Sequence, residues 1–361
     1  MKAYIIETQA LLHNIEMIKK EAGEAVIWAV LKGNGYGLGA VPFAQLLDKQ
    51  GITHFAVFEQ EEAIALRKAG FSENPILMLR GTSNEAEIHT LLDLNVTIGI
   101  GSQFDAAAVN AAAARRGTAA DVHIAIDTGM GRYGFLPQET DQIISVYQDL
   151  PYLTISGIYT HFHTASSQKA TRAQFAQFRH VLQMLKEAGC NPGMIHCCNS
   201  VSFLHYSDMH CDAVRIGTAL LGRSAAAPAG YIPIGYAEAE VEELRRLPAG
   251  STVGYRRGWK AKRDTTVAVV SIGWYHGFSL ERGYDLFRFR DCFRGIAKNL
   301  KAFLTRKALY ATVNGKRCRV VGHVGMMNLE IDVTDISCKQ GDPVKLQINP
   351  ILVKGLPIVF R

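Results

Sequence analysis

The chain has 361 residues, 48% of them hydrophobic and 20% charged, with a formal net charge of +6. That balance excludes a disordered chain and leaves room for two domains with a sizeable core. No apolar run reaches the roughly 18 to 20 residues that a membrane span needs, and the start MKAYIIETQALLHN lacks a basic-then-apolar signal, so a cytoplasmic location is expected. Seven cysteines, an odd number that includes the adjacent Cys197 and Cys198, do not make a secreted disulfide framework; reduced thiols are expected.

In chain order, short apolar segments recur at 25 to 32, 54 to 58, 75 to 80, 96 to 100, 121 to 127, 153 to 161, 193 to 198 and 213 to 218. Between them lie stretches such as AVPFAQLLDKQG after residue 39 and QFAQFRHVLQMLKEAG after residue 173, with apolar residues at helical spacing and a closing Gly. Eight strand-helix units predict an α/β fold with an N-terminal TIM (β/α)8 barrel. After AAAPAGY (225 to 231) the pattern changes to alternating stretches, TTVAVVSIG, ATVNGKRCRVVG, LEIDVTDI and PVKLQI, broken by turn signals such as Asn314-Gly315. These predict a C-terminal antiparallel β domain. The expected division is 1–225 and 226–361, with the early strand YIIET a candidate to pair in the β domain. The segment 279 to 308 is expected to be a helical or irregular insertion. Positive charge concentrates late, in RRGWKAKR (256 to 263) and at Arg288, Arg290, Arg294, Lys298 and Lys301. With Trp259 interleaved it could suit nucleic acid, but charge runs in loops are usually solvated. Neither nucleic acid nor a membrane is an expected partner.

The segment AVLKGNGYGLG (29 to 39) carries the most chemical information. A lysine at the end of a buried strand has its charged form disfavoured, which prepares the amine to attack an aldehyde, so Lys32 is a Schiff-base candidate. Gly33, Gly35, Gly37 and Gly39 allow positive φ and close approach to a ligand around Tyr36. The same spacing also fits a snorkelling lysine followed by a flexible turn. Barrel logic brings Arg132, His161, His196, Ser200 and Arg215 to the same mouth as Lys32. Small residues at Ser200, Gly217 and Thr218 can present N–H groups to an anion. His161 and His163 could share a strand face, but no third ligand stands at useful spacing, and no metal is expected.

Together with IDTGMGRYG (126 to 134), IHCCNS (195 to 200) and AVRIGTALLG (213 to 222), in that order, the glycine-rich segment resembles the alanine racemase family of fold-type III pyridoxal-phosphate enzymes. GHVGMMNLEIDVT and QINPILVKGLP extend the resemblance over the chain, particularly to the clostridial and vancomycin-type serine-racemase branches. It implies pyridoxal 5'-phosphate as cofactor, bound by Lys32, Tyr36, His161, His196, Ser200, Arg215, Gly217 and Thr218. Arg215 corresponds to the family arginine that faces the pyridine nitrogen and keeps it unprotonated, a weaker electron sink than an Asp partner would give. Arg132 and Met326 are implied in substrate binding. Where many relatives carry a lysine that orients the arginine, this chain has Ala125. The resemblance further implies a homodimer with shared sites that racemises alanine or serine.

Racemisation needs proton-transfer groups on two faces, and the family draws the second from a tyrosine in a GYxDG segment. Here the segment reads Gly273-Trp274-Tyr275-His276-Gly277. An indole N–H is a donor with no acceptor and cannot serve as a base. Tyr275 and His276 are the catalytic candidates to replace it, which requires a bulge or turn because neighbours on a strand face opposite ways. Pro350 also stands in a stretch where alanine racemases usually have a phosphate-binding tyrosine. Trp274 keeps two rivals open: a one-face enzyme such as a lyase, decarboxylase or aldolase, and a cofactor-holding protein without turnover.

Overall fold

The computed structural model describes residues 2–224, 230–281, 288–305 and 307–361. They fall into two compact units, Gln9–Ile234 and Met1–Thr8 with Gly235–Arg361. The N-terminal strand belongs with the second unit.

That strand is β1 (Ala3–Ile6); the next eight are β2 (Val26–Val30), β3 (His54–Val57), β4 (Ile76–Met78), β5 (Thr97–Ile100), β6 (Ala120–Ile126), β7 (Leu153–Thr160), β8 (Met194–His196) and β9 (Ala213–Ile216). β2 to β9 close a parallel barrel in chain order. Their ends are almost wholly apolar because both faces are covered, by helices outside and by side chains within. Inside, Trp28, Val30, Ala56, Leu77 and Ala213 form one packed cluster, so the barrel is a filled core rather than a pore. Polar caps start the surrounding helices: Ser102 Oγ accepts from Asp105 N–H at 3.1 Å, and Asn84 Oδ1 from Glu87 N–H at 3.0 Å. Because all eight strands run one way, Lys32, Asp127, His161, Cys197 and Gly217 each follow a strand end at a single rim.

In the second unit, the strands are β10 (Gly235–Leu247), β11 (Thr252–Val253), β12 (Trp259–Lys260), β13 (Thr265–Val270), β14 (Tyr310–Val313), β15 (Lys316–Val321), β16 (Leu329–Asp332), β17 (Pro343–Leu346) and β18 (Ile358–Phe360). The main sheet runs β13-β16-β15-β14-β17-β10-β1-β18, and an added β13–β10 pairing closes its first six strands into a ring. A closed ring leaves those strands no free edge. β1 pairs antiparallel with β10, as the YIIET stretch was expected to do, while β1–β18 is a parallel pair in an otherwise antiparallel sheet. Asn314 and Gly315 turn the β14–β15 hairpin at φ of 49° and 77°, the left-handed conformation such two-residue turns need. The uncertain insertion holds a helix, Phe289–Leu304; residues 282–287 and 306 lie outside the described residues.

Candidate active site

At the barrel rim a cavity of about 240 Å³ is lined by Lys32, Tyr36, His161, Ser200, Arg215, Gly217, Thr218 and Arg132. That is near the small end of ligand sites, about 300 to 1,000 Å³, and fits a small molecule rather than a polymer.

Lys32 sits where β2 ends, and the backbone then winds left-handed through Gly33, Asn34, Gly35 and Tyr36, at φ of 65°, 52°, 64° and 55°. Glycine takes this conformation freely, whereas asparagine must be held. Asn34 Oδ1 accepts from Ala40 N–H at 2.9 Å, and Asn34 N–H donates to Glu62 at 3.1 Å. The turn therefore fixes the Lys32 backbone at the rim, and its side chain lines the cavity. Burial, and then the positive charges of Arg132 and Arg215, push the Lys32 amine below the ordinary lysine range. Its ammonium position lies 5.8 Å from the Phe58 ring and has no ion pair among the described residues. Burial also raises the Tyr36 phenol to about 12, and its hydroxyl has no hydrogen bond among the described residues. A side chain at Gly217 would collide with that phenol, so the glycine makes room for it.

Ser200 opens the helix Ser200–His205, capped by Asn199, whose Oδ1 accepts from Val201 and Ser202 N–H. The Ser200 hydroxyl oxygen accepts from Gly217 N–H at 3.0 Å and from Ala219 N–H at 3.3 Å. Its own proton remains to donate toward the cavity.

Arg215 is buried, with 3% exposure, and its guanidinium is held on several sides. Nη1 donates to His196 Nδ1 at 2.8 Å, and Nη2 to the Thr160 carbonyl at 2.7 Å. His196 is not in the cavity wall; it stands behind Arg215, stacked on Tyr159 at 5.1 Å between ring centres. Its Nε2 meets His123 Nδ1 at 2.9 Å. Burial and the neighbouring Arg215 charge keep His196 well below the usual imidazole range, and burial takes His123 down to about 4. His161 lines the cavity and is lowered to about 3, by burial first and then by Arg215, Lys32 and Arg132.

Arg132 belongs to a loop organised by Asp127. That carboxylate accepts from Gly129 N–H at 2.8 Å, Met130 N–H at 2.6 Å and Arg132 N–H at 2.9 Å. With Ala125 in place of a lysine, the guanidinium has no hydrogen-bonded partner among the described residues and lies 5.6 Å from the Tyr133 ring. The backbone, not a side-chain clamp, places it.

Sequence reasoning missed Tyr159 and His123. The Tyr159 ring lines the cavity under Arg215, and its hydroxyl donates to the Leu79 carbonyl at 2.9 Å. Only alternation along β6 and β7 could have marked them as inward-facing, and single residues at such positions usually belong to a core.

In the second unit, Trp274–His276 form one 3-10 turn, not a strand. Successive residues of such a turn point about 120° apart, so strand alternation does not govern Trp274 and Tyr275. Trp274 and Met326 are exposed. His276 is buried: its Nδ1 accepts from Gly273 N–H at 3.1 Å, and Nε2 lies 3.0 Å from Lys2 Nζ. Both ring nitrogens are thus engaged within the unit. Tyr275 is half-buried, with Lys354 Nζ 5.2 Å from its ring.

A closed (β/α)8 barrel with an amine and a buried arginine on one rim, joined to a β-barrel domain, has the alanine racemase fold. Residues 6–225 match the alanine racemase N-terminal domain and residues 234–351 the alanine racemase C-terminal domain. The chain belongs to the alanine racemase family. It is 35% identical over 342 residues to an alanine racemase of Desulforamulus reducens, covering 92% of this chain and 85% of that protein. It is 36% identical over 280 residues to a serine/alanine racemase of Enterococcus gallinarum, covering 74% of this chain but only 39% of that longer protein. Among solved structures, alanine racemase from Bacillus anthracis with bound L-Ala-P superposes with a TM-score of 0.80 at 26% identity, over 100% of this chain and 95% of that one. The Bartonella henselae alanine racemase with covalently bound pyridoxal phosphate shares the fold, with a TM-score of 0.82 at 23% identity and coverage of 100% and 99%.

Proposed function

We propose that this protein is a pyridoxal 5'-phosphate-dependent racemase of a small amino acid, alanine or serine, and that it works as a homodimer. The observation that carries this reading is the convergence of Lys32, Arg215, Ser200 and Gly217 on one cavity whose amine is shifted toward its neutral form. The donor set fits the cofactor. Asp127 is the one carboxylate in the wall, and backbone N–H groups occupy both its oxygens, so the remaining polar lining favours an anion.

Lys32 would hold the cofactor covalently, Ser200, Tyr36 and the Thr218 backbone N–H its phosphate, with Gly217 allowing close approach, and Arg215 its ring. Bound there, pyridoxal phosphate supplies an electron sink that acidifies the α-hydrogen of an amino acid. A neutral Lys32 Nζ can take or return that proton on one face. Neutral His161 adds no charge to the wall, so Arg132 and Arg215 dominate the local field and Arg132 is left to attract a substrate carboxylate. Tyr275 is assigned the second face, because His276 has both nitrogens engaged and an indole has no basic nitrogen lone pair.

The exposed Trp274 supports a second reading, in which Lys32 alone moves protons and the product keeps one configuration. Purified protein loaded with pyridoxal phosphate is expected to convert L-alanine or L-serine to a mixture of enantiomers, read by chiral chromatography. Borohydride followed by peptide mapping should place the reduced cofactor on Lys32. A modified lysine elsewhere sinks the site assignment, and proton exchange without inversion favours the one-face reading.

A further inference from the structure

The helix Phe289–Leu304, between β13 and β14, has no role in the site above. Its Phe289, Phe293, Ile296, Leu300, Phe303 and Leu304 are between 56% and 85% exposed. At about 100° per residue these six side chains fall within an arc of roughly 120°. Gly295 is the one buried residue of the helix. A glycine at mid-helix lowers helix propensity, and here it lets the helix seat closely with its apolar arc turned away. Arg290 and Lys301 flank one border of that arc, with Arg294 further round and Lys298 on the opposite face, against the single carboxylate of Asp291. Arg288 and Arg294 pair with Asp291, and Lys298 pairs with Glu281 at 2.6 Å. Arg290 and Lys301 have no ion pair among the described residues.

We propose that this helix lies on an anionic lipid surface, its phenylalanine-rich arc in the acyl boundary and its basic border among the headgroups. Three observations select that occupant. No Ser, Thr, Asn or Gln interrupts the apolar arc, as burial in an acyl boundary requires. The basic border needs negative charge, and arginine and lysine can bury their stems while their heads reach phosphate. A second copy of the helix offers no acidic row to meet that border; in an antiparallel pair, basic side would meet basic side. At 16 residues the helix is about 24 Å long, and no helix among the described residues is long and apolar enough to cross a membrane. Lying on the surface is a different attachment from spanning, and it departs from the expectation of no membrane partner.

Vesicle flotation of the full cofactor-loaded protein tests the proposal. Binding to phosphatidylglycerol-containing vesicles should exceed binding to pure phosphatidylcholine by about tenfold and weaken with added salt. The Phe293→Ser/Ile296→Ser/Phe303→Ser and Arg290→Glu/Lys301→Glu variants should each lose flotation while keeping racemase activity and thermal midpoint. A Leu300→Trp reporter should shift its emission to the blue on anionic vesicles. Wild-type protein that stays dense with anionic vesicles at low salt overturns the proposal, as does flotation that survives the triple serine change. A change of oligomeric state in that serine variant, seen by sedimentation, would assign the face to a second copy and overturn it equally.

Discussion

Arg215 Nη1 donates to His196 Nδ1 at 2.8 Å, and because a guanidinium cannot accept, this contact fixes the imidazole tautomer. A neutral His196 then carries its proton on Nε2 and gives it to His123 Nδ1 at 2.9 Å. His123 in turn must be protonated on Nε2. The guanidinium is thus backed by two oriented neutral rings, which hold it in place without offsetting its charge.

His123→Leu should leave the His196 N–H without an acceptor in a buried site, at a cost of about 1 to 3 kcal/mol in unfolding free energy. The pH dependence follows from the lowered imidazole of His123, about 4 when folded against 6.5 unfolded. Between those values the unfolded chain binds more protons, so stability falls as the pH drops from about 6.5 toward 4 and is insensitive to this group above that window. His161, at about 3, acts in the same direction. Urea titrations at neutral and mildly acidic pH should show a gentler acid loss in His123→Leu than in wild type; equal slopes would remove His123 from the account.

The Lys32 amine, depressed by burial and by two arginines, should react with aldehydes at a pH where free lysine is inert. In protein stripped of cofactor, the pH profile of pyridoxal phosphate uptake should give an apparent pKa below the ordinary lysine value of about 10.4. Arg132→Ala removes one repulsive charge and should move the profile upward. A profile unchanged by Arg132→Ala would mean that desolvation alone sets the amine.

Tyr275→Phe should lower racemisation by roughly 10² to 10⁴ while leaving the bound-cofactor spectrum unchanged, since a positioned acid-base group is worth about that much. His276→Ala should act first on stability, because it deletes a ring that accepts from Gly273 N–H. In heavy water, Tyr275→Phe should still exchange the α-hydrogen of one enantiomer through Lys32. Full racemisation in that variant would point to a base outside the Trp274–His276 turn, and Trp274→Tyr would then be the change to examine for gained activity.

The strand pattern was legible because buried parallel strands leave short apolar runs whatever lies beside them. Seven of the eight barrel strands fall within segments visible in the sequence and β6 begins one residue before its own, and the Asn314-Gly315 turn announced its hairpin. Lys32 and its glycines also stood out, since positive φ is a demand that glycine answers locally. The Trp274 segment was partly legible: replacing Trp274 by a neighbour required a bulge or turn, and Gly273 and Gly277 bracket a single 3-10 turn whose backbone bonds to Gly325 and Met326, distant in sequence. His123 and Tyr159 gave no signal because an inward-facing residue at mid-strand reads the same whether it packs or supports a site.

By itself the sequence determined the order of strands and helices, the lysine that ends the first barrel strand, and the family pattern around it. Those properties follow from local periodicity and from residue types that only certain backbones tolerate. Tertiary structure alone decided the lowered basicity of Lys32, the tautomers of His196 and His123, the engagement of His276, and the exposure of the Phe289–Leu304 arc. Each depends on which groups from distant segments come within a few ångströms and how much water is left beside them, and desolvation and Coulomb interaction act through space rather than along the chain.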